Sequence, residues 1–155
     1  MANNYIQFSE ALDLSSDSIV RDQQIDWINQ VLNVNQVLNV DHDSEDLDRT
    51  KSILESNGID TEGVNLEAWG QFLWEIESGT LFIYSEEYSD PYDAGLFVRE
   101  FMRQFNIPGV WTLQWAETCS KPRIGEFGGG AMLVDNKNIV VKTTSQILNE
   151  LLERM

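Results

Sequence analysis

The residues with the most chemical potential stand in one run: Trp115-Ala116-Glu117-Thr118-Cys119-Ser120-Lys121-Pro122-Arg123-Ile124-Gly125-Glu126-Phe127-Gly128-Gly129-Gly130-Ala131. Lys121 and Arg123 bring positive charge beside Cys119, which favours thiolate over thiol and so nucleophilic chemistry. Glu126 would then act as a base or pair with Arg123. A cysteine nucleophile needs a base within hydrogen-bond reach, and the single histidine, His42, lies in a distant acidic stretch. A cysteine at a strand end is more often a small buried residue. As a phosphate loop the run fails, because its glycines lead into a strand and neither G-x-x-x-x-G-K-S/T nor G-x-G-x-x-G is met. As a recognition loop, Lys121, Arg123 and Glu126 with Trp111 and Trp115 nearby have residue types enriched at binding hot spots. The plainer reading is an internal Arg123–Glu126 pair that shapes the loop over the tryptophans. Recognition ranks second and catalysis third.

Two carboxylate groups invite a metal reading, and both fall short. Asp41-His42-Asp43-Ser44-Glu45 resembles the start of a calcium loop, but Asp46 stands where the loop requires glycine and Ser52 where it requires a bidentate Glu. Glu75 and Glu77 with Glu86 would suit a metal or glycosidase site only in a cleft. A polar outer sheet face explains them more simply. One cysteine excludes an internal disulfide and one histidine excludes a histidine cage, so the sequence points to no metal and no cofactor.

Charge is the strongest compositional signal. The 155 residues carry 26 Asp+Glu against 10 Lys+Arg, a formal net charge of −16. Residues 1–98 hold 20 acids and 3 bases, whereas residues 99–155 hold 6 acids and 7 bases. The densest acids run from Asp41 through Asp43, Glu45, Asp46 and Asp48 to Glu62, followed by Glu75, Glu77, Glu86, Glu87, Asp90 and Asp93. Binding phosphates demands a cationic footprint, so direct nucleic-acid binding is excluded and docking on anionic lipid disfavoured. The bland reading is a soluble protein kept monomeric by self-repulsion. The sharper one is an acidic face that imitates nucleic acid or docks on a basic partner.

The elements that must position these groups follow from periodicity. Tyr5–Ser9 alternates as a first strand. Ser15, Ser16 or Asp17 caps a helix with Ile25, Ile28, Val31 and Leu32 on one face and Trp27 on its flank. Val31-Leu32-Asn33-Val34 recurs as Val37-Leu38-Asn39-Val40, a single echo too short for a solenoid. Asp43 or Ser44 caps an acidic helix anchored by Leu47 and Leu54 and stopped at Asn57-Gly58. Ser78-Gly79 turns a hairpin that puts Phe72, Trp74 and Ile76 on one face. After Asp90-Pro91, the spacing of Ala94, Phe97, Val98, Phe101, Met102 and Phe105 predicts a core helix ended by Pro108-Gly109. Val110–Cys119, Ala131–Val134 and Ile139–Val141 read as strands, and a closing helix uses Ile147, Leu148, Leu151 and Leu152. The order β, α, α, ββ, α, βββ, α predicts an α+β fold, a single mostly antiparallel sheet with helices on one face. The length suits one domain over 1–155, with an acidic helical insertion at 33–62.

The block from Trp115 to Ala131 resembles that of a family of small acidic proteins from phages and mobile elements. It matches the family's W-A-x-T-C-x-K-P-R-x-G-E-F-G-G-G-A throughout. Tyr5–Ser9 and Tyr84-Ser85-Glu86-Glu87 are similar to the same family, and the Val31–Val40 echo with the acidic helix after it is where this chain is expected to depart from its relatives. The resemblance implies a phage-type origin and no particular activity. With the acidic half, it leads to the expectation of a non-enzymatic protein that binds and inhibits a host protein handling nucleic acid, of anti-restriction or anti-CRISPR type. The alternatives are a small enzyme using the Cys119–Glu126 loop and a self-assembling structural protein. No apolar run reaches transmembrane length and the N-terminal residues lack a signal-peptide pattern, so the expected location is the host cytoplasm, without membrane contact.

Overall fold

The computed structural model describes residues 3–33 and 44–155, with Ser44 and Glu45 described in backbone alone. The chain order is β1 (Asn4–Asp13), α1 (Ser18–Leu32), α2 (Ser44–Ser56), β2 (Leu73–Glu77), β3 (Thr80–Ser85), α3 (Pro91–Gln104), β4 (Trp111–Cys119), β5 (Gly128–Val134), β6 (Ile139–Thr143) and α4 (Thr144–Glu153). This is the order the sequence predicts. The described strands form one sheet, β2-β3-β1-β4-β5-β6, antiparallel at every pairing. The fold is therefore α+β.

β1 outruns its predicted five residues because its two halves serve different neighbours. Asn4–Gln7 pair with β4, and Phe8–Asp13 pair with β3. Phe8 and Leu12 face the helices and are buried, while Gln7, Ser9, Ala11 and Asp13 lie exposed on the open face. The β2–β3 hairpin turns through Ser78 and Gly79, both at positive φ (52° and 79°), which matches the twist of a two-residue hairpin.

Helix ends follow local chemistry. Asp17 accepts from the Ile19 and Val20 N–H groups at 3.0 Å and starts α1, and Asp90 accepts from the Tyr92 N–H to start α3 at Pro91. α2 stops at Gly58 (φ 85°), where the Ile59 N–H reaches the Leu54 carbonyl and both side chains are buried. α3 stops earlier than predicted. Asn106 (φ 49°) takes the left-handed position and the Ile107 N–H reaches the Met102 carbonyl, so the helix closes before Pro108-Gly109.

The core lies between α1, α3 and one sheet face, with Ile28, Val31, Leu81, Ile83, Phe97, Phe101, Leu113 and Val134 fully buried. Trp27 is buried rather than flanking: its ring centroid lies 5.9 Å from those of Phe97 and Phe105, and its Nε1 donates to the Asn57 carbonyl, tying α1 to the end of α2. α4 departs from expectation. A Thr143–Gln146 capping box starts it, yet Ile147, Leu148, Leu151 and Leu152 remain 41–68% exposed instead of closing the core. No helix among the described residues is long and apolar enough to cross a membrane.

Candidate functional site

The three consecutive glycines of the conspicuous block, Gly128 to Gly130, belong to β5 itself, not to a loop before it. Their register explains them. Gly129 pairs with Ala116, and a Cβ on it would lie 2.3 Å from the Trp115 carbonyl oxygen. Gly130 pairs with Trp115, whose indole occupies the space a side chain there would need, with Cη2 2.3 Å from that Cβ position. The glycine run lets β4 and β5 approach under a half-buried tryptophan.

Around this scaffold, the candidate catalytic groups are not assembled. Cys119 ends β4, half-buried and opposite Asn4. Among the described residues, no hydrogen bond or ion pair joins it to Lys121, Arg123 or Glu126. Lys121 and Arg123 are exposed, and the expected Arg123–Glu126 ion pair does not form. Only a long backbone contact, from the Glu126 N–H to the Arg123 carbonyl at 3.5 Å, links those two positions. Trp111 is buried, with Nε1 donating to the Ala11 carbonyl, so it offers no surface for recognition. His42 lies outside the described residues.

The loop does form one wall of a shallow cleft of about 240 Å³, with Glu126 and Phe127 facing Tyr5, Tyr88, Glu117 and Ser145. Glu117 is the residue sequence reasoning overlooked here. The signal was its alternate position on β4, which places its carboxylate above the bare Gly128 backbone.

The predicted acidic residues occupy two separate regions. Asp48 is exposed and Asp46 half-buried on α2, which packs beside α1 on the helical side. Asp41 and Asp43 lie outside the described residues, as does the side chain of Glu45. Glu75 and Glu77 point from the edge strand β2 onto the open face, opposite Phe82 and Thr80. Glu86 and Glu87 are exposed just after β3, where their carbonyls accept from the Gln7 side chain and the Ile6 N–H. Sheet and core thus separate α2 from Glu75 and Glu77. Among the described residues, no group of three or more His, Cys, Asp or Glu could hold a metal ion.

A second, larger cleft of about 460 Å³ lies at the N-terminus of α3, between Gly63–Gln71 and Tyr88–Leu96. Asp93 lines it and is 9% exposed. Burial first, and then the neighbouring charge of Asp90, push its carboxyl up to about 6. In the sequence Asp90 and Asp93 belong to the second acidic group and Asp90-Pro91 marks a helix start, and nothing in the pattern reveals that a second wall folds over Asp93.

The chain matches no protein-family model, no curated protein and no solved structure.

Proposed function

We propose that this protein is a non-catalytic, phage-type acidic binder that docks on a basic, nucleic-acid-handling surface of a host protein and inhibits it. The observation that carries the reading is a largely uncompensated carboxylate surface. Asp48, Glu55, Glu62, Glu75, Glu77, Glu86 and Glu87 are all exposed, and among the described residues of 1–98 the ion pair formed is Lys51–Glu55, at 4.0 Å. Such a surface raises the encounter rate with a cationic partner and disfavours anionic ones. Duplex DNA presents one charge per roughly 1.7 Å of axis, so rows of carboxylates suit a groove built for phosphates. Docking would use α2 or the β2 edge with Glu86 and Glu87, since the sheet separates the two. Charge reversal to Lys of Asp46 and Asp48 on α2, together with Asp43 before it in the sequence, tests the α2 side. The expected result is roughly a 100-fold loss of affinity for the partner with an unchanged circular-dichroism spectrum. Unchanged affinity in that variant, and in the matching variant at Glu75, Glu77, Glu86 and Glu87, rejects the acidic-surface mechanism.

A second reading, self-assembly, is favoured by one observation. Ile147, Leu148, Leu151 and Leu152 are exposed on α4, which packs against the edge strand β6, where Val140 is exposed too. Residues 99–155 are nearly neutral, so a second copy meets this face without the repulsion of the acidic half.

A further inference from the structure

Helix α3 carries two buried carboxylates two turns apart, and they are treated differently. Glu100, 3% exposed, is bound by Arg103 and, at 3.3 Å, by Arg99. Asp93, 9% exposed, receives no hydrogen bond or ion pair from any described residue. It lines the 460 Å³ cleft, and no lysine or arginine lines that cleft with it. Asp90 stands beside it, and the aromatic rings of Tyr88 (78% exposed) and Tyr92 (45% exposed) flank the opening. Ser89 Oγ donates to the Gln71 carbonyl at 2.8 Å, holding the two walls together. A buried carboxylate with a like-charged neighbour and no counter-ion is incomplete chemistry above its pKa.

We propose that this cleft binds the guanidinium of an arginine side chain presented by a partner protein, placed against Asp93 and Asp90 and flanked by Tyr88 and Tyr92. A planar, weakly hydrated cation fits this combination of carboxylate acceptors and aromatic faces better than a compact ammonium does. The incoming group would do for Asp93 what Arg99 and Arg103 do for Glu100. The site stands on the geometry of the cleft and goes beyond the acidic-surface reading, since it holds whichever face meets the partner.

The test is an amide NMR titration of the full chain with Nα-acetyl-arginine methylamide. Saturable shifts confined to Gly63–Gln71 and Tyr88–Leu96 are expected near pH 7.5. The citrulline analogue should bind at least about tenfold more weakly, and the lysine analogue more weakly than arginine. The titratable groups facing Asp93 are Asp90, Tyr88 and Tyr92, and the opposite wall of Gly63, Asn65, Ala68 and Gln71 adds none. Protonation of Asp93 near 6 therefore weakens binding about tenfold at pH 5. Asp93→Asn should lose binding about tenfold while its melting temperature at pH 7.5 stays the same or rises, because a buried charge is removed. Tyr92→Leu supplies an independent variant that should weaken binding. Charge reversal at Asp46 and Asp48 should leave it unchanged, so the cleft and the acidic surface fail separately. No saturable shift, equal binding of citrulline, tighter binding of lysine, or undiminished binding by Asp93→Asn overturns the proposal.

Discussion

At Gly129 a methyl group would meet the Trp115 carbonyl oxygen at 2.3 Å, inside the backbone pairing of β4 and β5. Neither atom belongs to a flexible side chain, so relief requires strand separation. Gly129→Ala should therefore cost about 1–3 kcal/mol and lower Tm by roughly 3–10 °C, read by thermal denaturation. A Tm within error of the unsubstituted chain would contradict this structural role. The glycine run was legible as a demand for close approach, because three consecutive glycines remove every Cβ from one stretch. What approaches was not legible, since it depends on β4–β5 register and on where the Trp115 indole lies. The same limit hid Asp93 and Glu117. Their significance comes from walls supplied by other elements, Gly63–Gln71 for the first and the segment from Gly125 to Phe127 with Tyr5, Tyr88 and Ser145 for the second.

Elements were easier to read than sites, because their signals are local. Asp17, Asp90 and Gly58 mark helix ends through hydrogen bonds and a left-handed position that involve only neighbouring residues. The apolar spacing of α3 named its buried stripe. Asn106 took the stop from Pro108-Gly109 because the left-handed position is open to Asn as well as Gly, and periodicity alone does not separate them. α4 is the instructive exception. Its Ile147, Leu148, Leu151 and Leu152 have the spacing of a core helix, but the core is already filled by α1 and α3, so the stripe faces outward. If a second copy covers it, sedimentation equilibrium should show mass rising toward twice the monomer value with concentration. The effect should grow in salt that screens the −16 charge. Leu148→Ser with Leu152→Ser should abolish it without lowering helix content. A monomer at every concentration and salt level, or dimerisation unaffected by the pair of substitutions, contradicts self-assembly through α4.

Over the whole molecule, the charge asymmetry visible in the sequence becomes an arrangement of surfaces. Exposed acids lie on α1 and α2 and along 60–67, on the open face at β1 and β2, and just after β3, while α4 and β6 form a nearly neutral, partly apolar corner. Sequence alone indicated how many carboxylates there are and which half holds them. It did not reveal that the sheet divides them, because that depends on which strand faces are covered. The acidic-binder reading consequently requires one region, not the sum, to engage a partner, and the binding must be strongly salt-dependent. The most direct measurement is capture from host lysate with the tagged chain, washed at low and then high salt, with duplex DNA as competitor. The predicted result is a near-stoichiometric, basic, nucleic-acid-handling protein that is released by salt and displaced by the duplex. No specific partner at low salt, or a partner indifferent to both salt and duplex, would contradict it.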